Sequence, residues 1–187
     1  MKPILFNSEM VRAILEGRKT VTRRVISKNI INQCDIDTDD TIIGYCDGDG
    51  DWHNIEKLCR YKAGDVIYVR ETWSKDSFDN YVYRVDYAGC TISPNWKWHP
   101  SIHMPKEAAR IWLKVTDVRV ERLQDIDTAG MLDEGIPFCG NESAIHEDFI
   151  NTWNSTILKK KLEQYGWETN PWVWVIGFER MVVQNER

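Results

Sequence analysis

The chain has 187 residues, 42% of them hydrophobic, which suits one domain with a sizeable core. It carries 29 acidic against 24 basic side chains, a net charge of −5, which argues against wholesale coating of nucleic acid but leaves room for a local basic site. Five cysteines (34, 46, 59, 90 and 139) with no CxxC pair, an opening "MKPILFNSEM" without a long apolar segment, and no run near the roughly 18 residues of a membrane span point to a cytoplasmic protein with reduced thiols and no membrane partner.

In chain order, "SEMVRAILEG" predicts a short helix with Ser8 as N-cap, an apolar stripe of Met10, Val11, Ile14 and Leu15, and Gly17 as its stop. "RKTVTRRVISK" follows, with five basic residues between Arg18 and Lys28 and no acid among them. Cations are favoured just past a helix C-terminus, which is one reason for Arg18 and Lys19. Residues 20–25 alternate as a strand, so Arg23 and Arg24 should project from opposite faces. Residues 27–60 are polar, contain seven aspartates between 35 and 51, and read as an insertion with a hairpin turning at "DGDGD".

A turn at Gly64-Asp65 leads into a strand over 64–72, and "NYVYRVDY" (80–87) predicts another. "RIWLKVTDVRVERL" (110–123) reads as two strands or one bent strand. "DTAGMLDEG" (127–135) predicts a short helix capped by Asp127 or Thr128. "ESAIHEDFINTW" and "ILKKKLEQYG" predict one or two more helices, and "NPWVWVIGFERMVV" (170–183) a closing apolar strand. The expected fold class is α+β, a small mixed β-barrel with helices at its rims.

Five stretches in this order, "ILEGRKTVTRR", "KAGDVIYVRETW", "IHMPKEAARIWLKVTDVRVERLQDI", "DEGI" and "YGWETNPWVWVIGFE", resemble the ASCH domain, a relative of the PUA RNA-binding fold, and most of all its longer phage and prophage members. The resemblance covers most of the chain apart from the Asp-rich stretch and part of 139–166. It implies one ASCH domain over 1–187 and a pocket for a nucleoside, RNA or DNA. A bacterial branch of the superfamily hydrolyses N(4)-acetylcytidine to cytidine and acetate, with a Lys and a Thr from the "GRKTxT" turn and a Glu from the helix after the long strand. Those roles carry over to Lys19, Thr22 and Glu134. No cofactor and no metal is implied.

Hydrolysis of an exocyclic amide needs a nucleophile, a base and a means of steadying the oxyanion. Thr22 would supply the hydroxyl. Lys19 would take its proton if burial and the nearby arginines lowered its pKa by about 3 from the usual ~10.4. Glu134 would handle the proton of the leaving amine. Arg18, Arg23 and Arg24 are candidates for phosphate contact, with ion pairs to the Asp-rich insertion as the alternative for the last two.

Glu71 can accept from a base amino group and Trp73 can stack on a base, or they belong respectively to an ion pair and the core. In "WKWHPSIHMPKEAAR", Trp96, Trp98, His99 and His103 form a possible stacking wall with Lys106 and Arg110 on phosphates, or a loop held by Pro100 and Pro105. The spacings of His99 and His103, and of Cys34, Cys46, His53 and Cys59, do not suit zinc, and "DGDGDW" lacks the glycine and glutamate of a calcium loop. The rival readings are a non-catalytic RNA or DNA reader and a metal-independent ribonuclease.

Overall fold

The computed structural model describes residues 1–39, 41–91 and 96–181. Its centre is β10 (Trp172–Met181). Even-numbered Trp174, Ile176 and Phe178 enter one apolar cluster and odd-numbered Val173 and Val175 another. A strand covered on both faces needs a near-continuous apolar run, and "WVWVIGF" supplies it. Burying each such Val or Ile side chain contributes about 1.5–3 kcal/mol. Residues 182 and 183, at the end of the predicted strand, lie outside the described residues.

β10 is flanked antiparallel by β2 (Val21–Val25) and β9 (Trp112–Arg122); β9 pairs with β6 (Val66–Arg70), and β1 (Lys2–Leu5) adds to β6 in parallel. The sheet therefore runs β1-β6-β9-β10-β2, with β1 and β2 as open edges. This corrects the expected closed barrel. The predicted strand over 80–87 does not join the sheet. Only Tyr81–Tyr83 (β8) is extended, paired with Trp73–Lys75 (β7) in a separate ribbon, and Arg84–Tyr87 winds into a 3₁₀ turn. The long segment at 110–123 is one strand, bent by a bulge: Val115 pairs with Phe178 and Asp117 with Gly177, leaving Thr116 extra. A Cβ at Gly177 would stand 2.8 Å from Thr116 Oγ1, so glycine lets the two strands close there.

The first face is covered by α1 (Ser8–Leu15), whose Val11 and Ile14 join Phe6, Ile67, Leu113 and Ile176. Asn7, rather than Ser8, caps α1, accepting from the Met10 amide at 2.8 Å. Gly17, at φ +76°, ends it in a Schellman arrangement, with the Arg18 amide on the Ala13 carbonyl and the Gly17 amide on that of Ile14. The Asp-rich stretch forms α2 (Lys28–Ile31) and the meander β3 (Cys34–Ile36), β4 (Ile42–Cys46) and β5 (Trp52–His53), with Asp47–Asp51 at the turn. It contributes Ile55 and Cys59 to the first cluster.

The second face is covered by α3 (Thr128–Asp133) and α4 (Glu142–Thr156). Asn141 caps α4, and Ile145, Phe149 and Trp153, four apart, form its buried stripe. A short α5 (Leu162–Tyr165) follows, and the Trp153 indole donates to the Tyr165 carbonyl at 2.9 Å. Among the described residues no helix is long and apolar enough to cross a membrane.

Candidate active site

β2 is an edge strand, so half of its backbone groups face away from β10. The Thr20 carbonyl accepts from Phe178 and the Ile26 amide donates to Trp172, so residues of even number bond to β10 and Val21 and Arg23 turn outward. Segment 133–135 plugs this open side. The Thr20 amide donates to the Asp133 carbonyl at 2.8 Å, and Lys19 and Glu134 form an isolated antiparallel bridge. Gly135 makes the approach possible. Its φ is +93°, and a Cβ there would lie 2.8 Å from the Ala13 Cβ and 3.0 Å from the Lys19 Cβ.

The Glu134 carboxylate enters the gap beside Arg23. Its Oε1 accepts from the Arg23 amide at 2.6 Å and stands 3.5 Å from Arg23 Nη1, and its Oε2 accepts from Lys19 Nζ at 2.5 Å. Lys19 also donates to the Val21 and Glu134 carbonyls, both at 2.8 Å. All three ammonium protons are thus engaged. The Lys19 side chain is 0% exposed and that of Glu134 9%. Burial pushes the Lys19 pKa down, opposed by Glu134 and reinforced by Arg24 and Arg23.

Arg23 and Arg24 do project from opposite faces, beside Val175 and Trp174 respectively. Neither pairs with the Asp-rich stretch among the described residues. Arg23 is held by Glu121 at 3.1 Å as well as Glu134, and Arg24 donates to the Leu5 carbonyl at 2.8 Å and lies over the Phe6 ring. Burial lowers the Arg24 pKa. Arg18 binds Glu16 and the Gly135 carbonyl.

A cleft of about 360 Å³ opens between α1 and α4. Glu134–Pro137 and Arg18 line it together with Asn7, Met10 and Arg12 on one side and Asp148, Asn151 and Thr152 on the other. Behind it lies a chamber of about 30 Å³ that shares Met10, Glu134, Ile136 and Thr152 with the cleft and adds Thr22, Arg23, Arg24, Phe149 and Trp153. Thr22 and Glu134, more than a hundred residues apart along the chain but brought to one strand edge, thus both line this chamber, with Lys19 joined to it through Glu134 and Arg18, Arg23 and Arg24 around them.

The other four predicted residues lie elsewhere. Glu71 is buried in a two-pronged ion pair with Arg110 (2.9 and 3.0 Å), which also holds Asp86, and desolvation raises the Glu71 pKa. Trp73 stacks on His99 with ring centres 4.8 Å apart. His103 and Lys106 are exposed on two 3₁₀ turns. Trp96 and Trp98 form a separate cluster with Tyr87, and Arg84 lies over Trp98. None of these lines the cleft.

The α4 wall escaped the sequence reading. Its signal is the polar trio Asp148, Asn151 and Thr152, spaced three and four apart beside the apolar stripe, which marks a helix face meeting something other than core. Among the described residues no group of three or more His, Cys, Asp or Glu is placed to hold a metal ion.

No family model matches the chain, and no curated protein matches it. Among solved structures, the crystal structure of a DUF984 protein from Enterococcus faecalis superposes with a TM-score of 0.47 at 10% identity, covering 97% of this chain and 76% of that one.

Proposed function

We propose that the cleft is an active site that hydrolyses the exocyclic amide of an N-acylated nucleoside of the N(4)-acetylcytidine type, as the resemblance to ASCH proteins implies. The observation that carries this reading is the buried Lys19–Glu134 pair, which opens through Glu134 onto a cleft of about 360 Å³. That volume is within the range of small-molecule sites, about 300–1,000 Å³.

In this reading Thr22 Oγ1 attacks the acyl carbon. Its proton passes to the Lys19–Glu134 pair, which returns it to the exocyclic nitrogen as the C–N bond breaks. Water then attacks the acyl-threonine ester, and the same pair carries its proton to the threonine oxygen. One amide and one water become one amine and one carboxylic acid. The role first expected of Lys19 changes. With each Nζ proton on an acceptor, Lys19 is not a free base facing Thr22. The proton-transfer unit is the pair, and Glu134 is its exposed end.

The test is incubation with N(4)-acetylcytidine while free cytidine is followed, with Thr22→Ala, Lys19→Arg and Glu134→Gln alongside. Turnover by the wild type that collapses in all three supports the reading. A wild type that releases no cytidine from the nucleoside or from acylated RNA overturns it. A non-catalytic nucleoside or RNA reader is the second reading, favoured by the full set of acceptors around Lys19. It predicts binding without turnover.

A further inference from the structure

Arg23 carries a donor that the protein leaves unused. Its side chain is 3% exposed, Nη2 binds Glu121 and Nη1 faces Glu134, yet the buried Nε–H has no acceptor. Buried side-chain donors are nearly always paired, so this one calls for a partner. Arg23 forms part of the wall of the inner chamber, beside Thr22 and Glu134. Three cations, Lys19, Arg23 and Arg24, surround this corner against two carboxylates, Glu134 and Glu121, leaving an excess positive charge away from water. Such a corner favours an oxygen that carries or gains negative charge.

We propose that the inner chamber is an acyl-oxygen site, in which Arg23 Nε–H donates to the carbonyl oxygen of a short acyl group and to the carboxylate it becomes. This rests on the amidohydrolase reading for its catalytic consequence, but not for the binding itself. The size of the chamber sets the ligand class. A water-sized group needs about 10–15 Å³ of such space, so about 30 Å³ holds two, one oxygen and one methyl. Phe149, Trp153, Ile136 and Met10 close the rest. The site therefore takes acetyl and excludes bulky acyl groups such as benzoyl.

The experiment reads the arginine Nε–H signals of the nitrogen-15-labelled wild-type protein during titration with acetate and, separately, benzoate. The Arg23 signal is assigned by its loss in Arg23→Lys or, if that variant does not fold, by its contacts to Glu134 and Glu121. Saturable movement of this signal by acetate and not by benzoate is expected. An Arg23 signal unmoved by acetate, or one moving in step with those of surface arginines, overturns the proposal.

Kinetics supply a second arm. If the wild type turns over N(4)-acetylcytidine, a folded Arg23→Lys should lose about 10²–10³-fold in kcat with KM little changed, as for removal of an oxyanion donor. Full kcat in that variant overturns the acyl-oxygen site while leaving the amidohydrolase reading intact. Acetate on Arg23 in a protein that releases no cytidine supports the site and overturns that reading instead.

Discussion

At the residue scale, burial and its neighbours change the chemistry of Lys19. Removing either partner of a buried ion pair strands the other charge, so Lys19→Met or Glu134→Ala should cost about 3–5 kcal/mol in urea unfolding. The pH dependence has a definite sign. The Lys19 pKa is lower in the folded than in the unfolded chain, where it is near 10.5. Between the two values the unfolded chain binds more protons, so stability rises with pH across that window. The difference in unfolding free energy between wild type and Lys19→Met should therefore move in favour of the wild type as pH rises toward 10.5. A flat or opposite trend would mean that Lys19 is not desolvated as described. The Glu71–Arg110 pair is equally buried at one end but far from the cleft, so Glu71→Gln should destabilise the fold without altering cytidine release.

Among the elements, the turn after α3 decides how Glu134 meets Lys19 and Arg23. α3 ends at Asp133 with Glu134 as its C-cap, and Gly135 then carries the chain past Ala13 and Lys19 at near-contact distance. Gly135→Ala meets both a left-handed backbone and a Cβ overlap. It should cost about 1–3 kcal/mol and shift Glu134 away from Lys19 and Arg23. Thermal unfolding measures the first effect and turnover the second. Gly17→Ala has the left-handed backbone, at φ +76°, but open space around the new methyl, so it should cost less than Gly135→Ala. The helix cap is simpler: Asn7→Ala should cost about 1 kcal/mol, because one amide at the start of α1 loses its acceptor.

For the whole molecule, the Asp-rich segment, read from the sequence as an insertion, contributes to the core. Ile55 and Cys59 are buried in the cluster under α1, and Ile30, Ile31, Cys34, Ile42 and Leu58 pack against it. Deleting 30–58 should therefore abolish cooperative unfolding rather than expose a basic patch. Circular dichroism during denaturation checks this. Replacing Gly48-Asp49, at the tip of the β4–β5 turn, with Asn-Gly should leave the midpoint nearly unchanged, because the tip packs on nothing.

Local signals in the sequence determined much of the framework. The apolar spacing of α1 and the glycine that ends it, the turn in "DGDGD", the Asp127 cap of α3, and the unbroken run of β10 each depend on neighbours a few residues away, and each forms where those neighbours place it. The "GRKTVTRR" turn and Glu134 were legible as a candidate site through resemblance, and their meeting follows from one edge strand accepting one plug. What only the tertiary structure decided depends on contacts between distant segments. β1 has four residues and finds its parallel partner some sixty positions away, so no short-range pattern announces it. The sheet stays open because residues 84–87 coil instead of extending and β1 takes the edge. The cleft lies between α1 and α4, which cover opposite faces of the sheet. For Glu71 and Trp73 the sequence left base contact open beside an ion pair and the core, and Arg110 and His99, supplied by later segments, decided it: Glu71 is ion-paired and Trp73 stacks on His99.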